Sequence, residues 1–151
     1  MPRLDYARES PRGIAALHQL EQYLKASGLE IPLLQLIKTR ASQINGCAYC
    51  LDMHTKDARA GGEAEQRLYT LSAWRETPFF SERERAALAF TECVTLIAEH
   101  HDDDAAYAEL QRHFSSKEIV DLTLAIVAIN AWNRLGVTFQ APVGSYQPQH
   151  E

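Results

Sequence analysis

Two cysteines and a histidine in the first half of the chain have the types and the spacing that could do chemistry. Cys47 and Cys50 form a C-x-x-C pair, and His54 follows four residues after the second thiol. An α-helix turns by about 100° per residue, so residues three or four apart lie on one face. On a single helix the two thiols and the imidazole would therefore be neighbours, as thiol redox chemistry or metal binding requires.

The residues before the pair indicate that a helix begins at Cys47. Asn45 and Gly46 can adopt the left-handed conformation that ends one helix before the next begins. Unpaired backbone amides and the helix dipole favour a thiolate at such a position, and a protonated His54 would favour it further. Since the thiolate is the reactive form of cysteine, the helix-terminus argument favours Cys47 as the more easily ionised thiol.

Three interpretations of the motif are open on the residues alone. A structural zinc site needs four tetrahedral ligands, and the motif supplies three, so the fourth would come from Cys93, His100 or His101. A purely structural C-x-x-C with an incidental histidine is the second interpretation. A redox dithiol needs one thiol to attack, a second to resolve the product as a disulfide, and a base. All three parts are present, so we favour the redox dithiol and expect neither a metal ion nor a cofactor.

Composition excludes several classes of partner. The 151 residues are 46% hydrophobic and 23% charged, which predicts one globular domain spanning residues 1–151. The net charge of −5, without a run of Lys or Arg, argues against nucleic acid and anionic membranes. The amino terminus lacks the apolar core of a signal peptide, and three cysteines are an odd number. We therefore expect a cytoplasmic protein in which the third thiol, Cys93, is free.

Helical periodicity and helix-cap signals predict an all-α fold. Residues 1–9 are expected to be loose, residues 99–104 to form a solvated connector, and Cys93 to be a small buried hydrophobe inside a helix. The predicted helices run from Ser10-Pro11 to Gly28, from Pro32 to Asn45-Gly46, from the cysteines to Gly61-Gly62, from Glu63 to Trp74, from the Ser81–Glu84 capping box onward, from Asp104 to Phe114, and from Ile119 to Thr138 after the Ser115–Glu118 box.

The last predicted helix is apolar on nearly all sides. Such a helix is buried centrally or in a subunit interface, so we expect a homo-oligomer. Asn130, Asn133 and Arg134 interrupt the apolar run and argue against a membrane span.

At the cysteine motif the sequence resembles the alkylhydroperoxidase D-like, or carboxymuconolactone decarboxylase, superfamily. Residues 42–59 carry the signature, and weaker similarity runs from Pro32 to the 129–134 segment. The resemblance implies an all-helical subunit, assembly into trimers or hexamers, and reduction of a small hydroperoxide with electrons from a thiol or disulfide protein. It also implies that Cys50 attacks the peroxide, that Cys47 donates a proton and resolves the sulfenic acid, and that His54 belongs to the proton relay. We follow this assignment of the attacking thiol.

The sequence departs from the family pattern at two positions. Gln35 stands twelve residues before the first cysteine, where the redox branch has a glutamate, and Tyr49 stands where well-known members have a histidine. The resemblance places Gln35 at the catalytic site, but an amide can hydrogen-bond without shuttling a proton. Slow peroxide turnover is therefore expected. A lactone decarboxylase, which does not require a dithiol, and a non-catalytic redox sensor or binding oligomer are the alternative functions.

Overall fold

The computed structural model describes residues 2–99 and 103–148, and every regular element within those ranges is helical. The prediction of an all-α fold is confirmed. The α-helices of the described ranges are α1 (Tyr6–Glu9), α2 (Pro11–Lys25), α3 (Ile31–Asn45), α4 (Ala48–Ala60), α5 (Glu65–Tyr69), α6 (Glu82–Thr95), α7 (Asp104–His113) and α8 (Ser116–Phe139), and a 3-10 helix, Leu71–Glu76, follows α5.

The corner between α3 and α4 forms as the local sequence predicts. Gly46 ends α3 with φ of 66°, in the left-handed region that glycine adopts without steric cost. The backbone N–H of Cys47 donates to the carbonyl of Ser42 at 3.1 Å, which closes the turn. Cys47 then caps α4, so the prediction that the C-x-x-C pair lies at a helix N-terminus is confirmed.

Two segments differ from the sequence prediction. Residues 6–9, expected to be loose, form α1 because the Asp5 carboxylate accepts hydrogen bonds from two backbone amides of its first turn. The predicted helix over residues 63–74 is instead α5 followed by the 3-10 helix. In a 3-10 helix, residues three apart lie on one side. Leu71 and Trp74 are therefore on one side of the 3-10 helix, and both are buried, as is Leu68 of α5.

Helix α8 is the central element that the site packs against. It begins at the Ser115–Glu118 capping box, which is present as predicted, and it contacts α2, α3, α4 and α6. Among the described residues it is the one helix long and apolar enough to cross a membrane by composition. Its buried residues include Asp121, which accepts from Tyr23 of α2, and Asn133, which donates to Ser42 of α3. We therefore interpret α8 as the core helix of the bundle.

Candidate active site

Cys47 and Cys50 are joined in a disulfide, and both are buried. Their Cα atoms are 5.3 Å apart, and the two residues are 1% and 2% exposed. Ala41 of α3 and Ile129 of α8 complete the buried cluster around them, and the partly buried Tyr49 and Trp132 pack against it. The redox pair therefore lies in a largely apolar enclosure beneath the surface of the subunit.

The first cysteine has the environment that stabilises a thiolate. Cys47 is the N-cap of α4, and its Sγ accepts a hydrogen bond from the backbone N–H of Cys50 at 3.3 Å. An N-cap acceptor faces the positive end of the helix dipole. When the disulfide is reduced, the same amide would remain available to a sulfur anion at Cys47.

His54 is held by Gln35 on the neighbouring helix. The Nδ1 atom of His54 lies 2.9 Å from the side-chain oxygen of Gln35. Because an amide oxygen can only accept, Nδ1 carries the hydrogen and Nε2 is the basic nitrogen. That Nε2 atom is buried and has no hydrogen-bond partner among the described residues. It is therefore a preformed acceptor inside the site.

Burial keeps the His54 imidazole neutral. Desolvation by burial, together with the positive charge of Lys38, lowers the pKa of His54 to about 3. In the disulfide form His54 is therefore neutral at neutral pH, so it does not carry the positive charge that would favour a thiolate at Cys47. A neutral imidazole can accept a proton at Nε2, as a general base must.

A buried ion pair beside His54 was not predicted from the sequence. Lys38 is 7% exposed and its ammonium contacts the carboxylate of Glu21 on α2. Trp132 of α8 donates through Nε1 to the other oxygen of Glu21 at 3.2 Å. The available signal was that Lys38 follows Gln35 by three residues, so the two side chains share one face of α3. Its partner could not be chosen from that spacing.

Gly136 of α8 is a second site residue that sequence reasoning missed. A Cβ atom at this position would lie 2.9 Å from Sγ of Cys47 and 3.6 Å from Sγ of Cys50. The glycine therefore lets the backbone of α8 approach the two sulfurs. Its signal was a glycine inside a long helix, where it costs about 1 kcal/mol relative to alanine and needs a packing reason.

A side-chain amide network fixes the α3–α4 corner against α8. The amide nitrogen of Asn45 donates to the side-chain oxygens of Asn130 and Asn133, at 3.0 and 2.9 Å. Asn133 in turn donates to Ser42 at 2.9 Å, and Ser42 supplies the carbonyl that receives the Cys47 amide. The polar residues that interrupt the apolar run of α8 thus hold the segment that presents the first cysteine.

The remaining candidate ligands do not join the cysteines in the described structure. Cys93 lies half-buried in α6, and its thiol donates to the Asp103 carboxylate at 2.8 Å. Burial and that carboxylate raise the pKa of Cys93 to about 12, so this thiol stays protonated and is poorly nucleophilic. His100 and His101 lie outside the described residues. Within residues 2–99 and 103–148, no three His, Cys, Asp or Glu side chains are placed to hold a metal ion.

Comparison with known proteins identifies the family. The sequence model of the carboxymuconolactone decarboxylase family matches residues 9–92, which include Gln35, the C-x-x-C pair and His54. The chain belongs to this family. Asn133 and Gly136 lie beyond the matched segment.

Two bacterial proteins resemble the chain along most of its length. The uncharacterized protein YdfG of Bacillus subtilis is 44% identical over 135 residues, which cover 89% of this chain and 92% of YdfG. ATU0492 of Agrobacterium tumefaciens, a protein of unknown function proposed to be the antioxidant defence protein AhpD, has a structure with a TM-score of 0.93 and 46% identity; the match covers 97% of this chain and all of that one.

A more distant structure shares the fold alone. The alkylhydroperoxidase AhpD core of an uncharacterized peroxidase-related protein from Ralstonia eutropha superposes with a TM-score of 0.80 at 20% identity, over 92% of this chain and 74% of that one.

Proposed function

We propose that the protein is a thiol-dependent peroxidase or disulfide oxidoreductase that works through the Cys47–Cys50 pair. The observation that carries this proposal is the disulfide itself, which lies on the same helix as a neutral histidine with an unpartnered basic nitrogen. The peroxidase-related neighbours support the same chemistry. A lactone decarboxylase does not require a dithiol, so that alternative would not explain the Cys47–Cys50 disulfide.

In the proposed cycle, the reduced Cys50 thiol transfers its proton to Nε2 of His54. The Cys50 sulfur attacks one oxygen of the hydroperoxide, and the O–O bond breaks. Cys50 becomes a sulfenic acid, and the leaving alkoxide takes the proton back from Nε2 of His54 and departs as an alcohol. Cys47 then attacks the sulfenic sulfur, the disulfide forms, and the hydroxyl leaves as water with the proton released by the Cys47 thiol. Two electrons pass from the dithiol to the peroxide.

The cycle closes by thiol–disulfide exchange with an external dithiol. One thiolate of that dithiol attacks the disulfide, and its second thiol resolves the mixed disulfide and releases the reduced pair. A reducing cytoplasm, in which we expect the protein to work, supplies such dithiols. Gln35 accepts the hydrogen on His54 Nδ1 and so keeps Nε2 free for the thiol proton.

Burial of the sulfurs supports a second candidate function. With Cys47 and Cys50 at 1% and 2% exposure, a large reductant has no direct path to the disulfide in this conformation. A non-catalytic redox sensor needs only slow oxidation and a conformational response. Slow oxidation with no repeated turnover would favour this candidate over the peroxidase.

A thiol count tests the proposed function. We expect the reduced protein to expose three thiols on denaturation, and to retain one after reaction with one equivalent of a hydroperoxide. Mass spectrometry should show the loss of two hydrogen atoms and a peptide that joins Cys47 to Cys50 and spares Cys93. Cys93→Ser is the matched control and should lose the same two thiols. An unchanged thiol count would contradict the proposal, and zinc bound to both thiols would restore the metal interpretation.

We also propose that the subunit forms a homo-oligomer, the trimer or hexamer that the family resemblance implies. Apolar side chains remain exposed on α8 and just after α6, with Ile97 at 63%, Val120 at 58% and Val127 at 50% exposure. Light scattering at micromolar concentration should give a mass of three or six subunits. A folded monomer under those conditions would contradict the proposal.

A further inference from the structure

The Lys38–Glu21 ion pair has no part in the proposed cycle, although it lies in the same interior. The two side chains are 8% and 19% exposed, so both charges have lost most of their water. Desolvation offsets much of the attraction in a buried pair, and such pairs are often no more stabilising than apolar replacements. A contribution to stability is therefore a weak explanation for the Lys38–Glu21 ion pair.

The Lys38–Glu21 ion pair is linked to the disulfide through Trp132, which packs against the cysteine cluster and donates to Glu21 at 3.2 Å. The carbonyl of Lys38 accepts from the Ser42 hydroxyl at 2.7 Å, and the Ser42 carbonyl receives the Cys47 amide at 3.1 Å. The positive charge of Lys38 is felt at His54, where it adds to the effect of burial on the imidazole pKa. Lys38 thus lies one helical turn from a residue that contacts the cysteine segment.

The charges that face Lys38 come from two other helices. Glu21 of α2 contacts the ammonium, and His54 of α4 is neutral. From α8 the neighbouring polar groups are uncharged, since Trp132 bonds to Glu21 and Asn133 bonds to Ser42. Because His54 is neutral, Lys38 and Glu21 are the charged groups in this set of contacts.

We propose that Lys38 stabilises the thiolate of the reduced Cys47–Cys50 pair, that Glu21 limits this stabilisation, and that the ion pair thereby sets the redox equilibrium of the disulfide. A cation in a low-dielectric interior stabilises a nearby sulfur anion more than it would in water. Stabilising the reduced form makes a disulfide more oxidising. Lys38 and Glu21 are positioning residues in this scheme. The inference rests on the proposed function only in requiring that the pair cycles between disulfide and dithiol.

Two substitutions that break the same contact provide the test. Lys38→Met removes a positive charge, and we expect it to shift the equilibrium with a dithiothreitol redox buffer toward the disulfide by at least about threefold. Glu21→Gln removes a negative charge and should shift the same equilibrium toward the dithiol by a similar factor. A tenfold shift would correspond to about 30 mV in reduction potential. Alkylation of free thiols followed by mass spectrometry gives the reduced fraction.

Shifts of the dithiol–disulfide equilibrium in opposite directions distinguish an electrostatic effect from structural damage. Lys38→Arg should stay within about twofold of the wild-type equilibrium, and the double variant Lys38→Met/Glu21→Gln should return toward it, because each leaves the net charge of the pair unchanged. Shifts of both single variants in one direction, or no shift in either, would overturn the inference. If Lys38→Met fails to fold, Glu21→Gln must still shift toward the dithiol, and no shift in that variant would overturn the inference alone.

The readout separates this inference from the proposed function. The equilibrium with dithiothreitol needs no peroxide, so opposite shifts in a protein that does not consume hydroperoxide would support the inference and reject the peroxidase. Peroxide consumption by the wild type, without any shift of the dithiothreitol equilibrium in the variants, would support the peroxidase and reject the inference.

Discussion

Cys50→Ser is expected to abolish hydroperoxide consumption, whereas Cys47→Ser is expected to leave a sulfenic acid at Cys50. The first variant lacks the attacking sulfur. The second retains it but lacks the thiol that resolves the sulfenic acid into a disulfide. The measurement is peroxide loss over time, together with dimedone labelling and peptide mass spectrometry of each variant. Cys93→Ser should behave as the wild type, because its thiol has a pKa of about 12 and lies outside the pair.

The geometry of the site gives a physical reason for the opposite assignment, in which Cys47 is the nucleophile. Cys47 Sγ receives the Cys50 amide at the helix N-terminus, which favours Cys47 as the thiolate, while the family resemblance assigns the attack to Cys50. A dimedone adduct at Cys47 in the Cys50→Ser variant, with activity lost in Cys47→Ser, would make Cys47 the nucleophile. Cys50 would then be the thiol that exchanges a proton with His54.

Local features of the site were predictable because they depend on residues close in sequence. The helix break at Gly46, the start of α4 at the first cysteine and the shared face of Cys50 and His54 all follow from backbone preferences and the 3.6-residue period. The contact between Gln35 and His54 came from the family resemblance, since nineteen residues separate them. No periodicity argument could have paired them.

Features that join distant segments were not predictable from one sequence. Gly136 meets the sulfurs from α8, and Glu21 reaches Lys38 from α2. Each is an ordinary residue in its own helix and acquires a role only through packing. The neutral state of His54 belongs to the same class, because it depends on burial by several helices rather than on the motif. The residue types predicted thiol chemistry, and tertiary packing determines the protonation state of His54.

Gln35→Glu is expected to raise the second-order rate of hydroperoxide reduction by at least about tenfold. Gln35 accepts the His54 Nδ1 hydrogen at 2.9 Å but cannot take the proton. A carboxylate in its place would stabilise the imidazolium and raise the pKa of His54 from about 3 toward the working pH. A positioned general base is typically worth about 10²–10⁴ in rate and works best when its pKa is near that pH, so a tenfold gain is a modest part of the range.

The pH profile gives the sign of this effect. A higher His54 pKa makes the imidazole a stronger base near neutrality, but protonation removes that base as pH falls through the new value. Stopped-flow rates from about pH 5 to about pH 9 should therefore show the largest gain at neutral pH and a smaller gain at the acid end. The wild-type profile should lack an acid limb from His54, because burial holds its pKa at about 3.

Gln43→Glu is the matched control for added charge. Gln43 lies on the same helix two turns later, and its side chain accepts from Arg40 at 3.1 Å rather than from His54. The control should leave the rate near that of the wild type. Superimposable pH profiles for wild type and Gln35→Glu would reject the relay. If Lys38 instead forms an ion pair with the new carboxylate, the double variant Gln35→Glu/Lys38→Met should recover the tenfold gain in rate. A rate that falls in both Gln35→Glu and Gln35→Glu/Lys38→Met would mean that the amide of Gln35 is required for more than orienting His54.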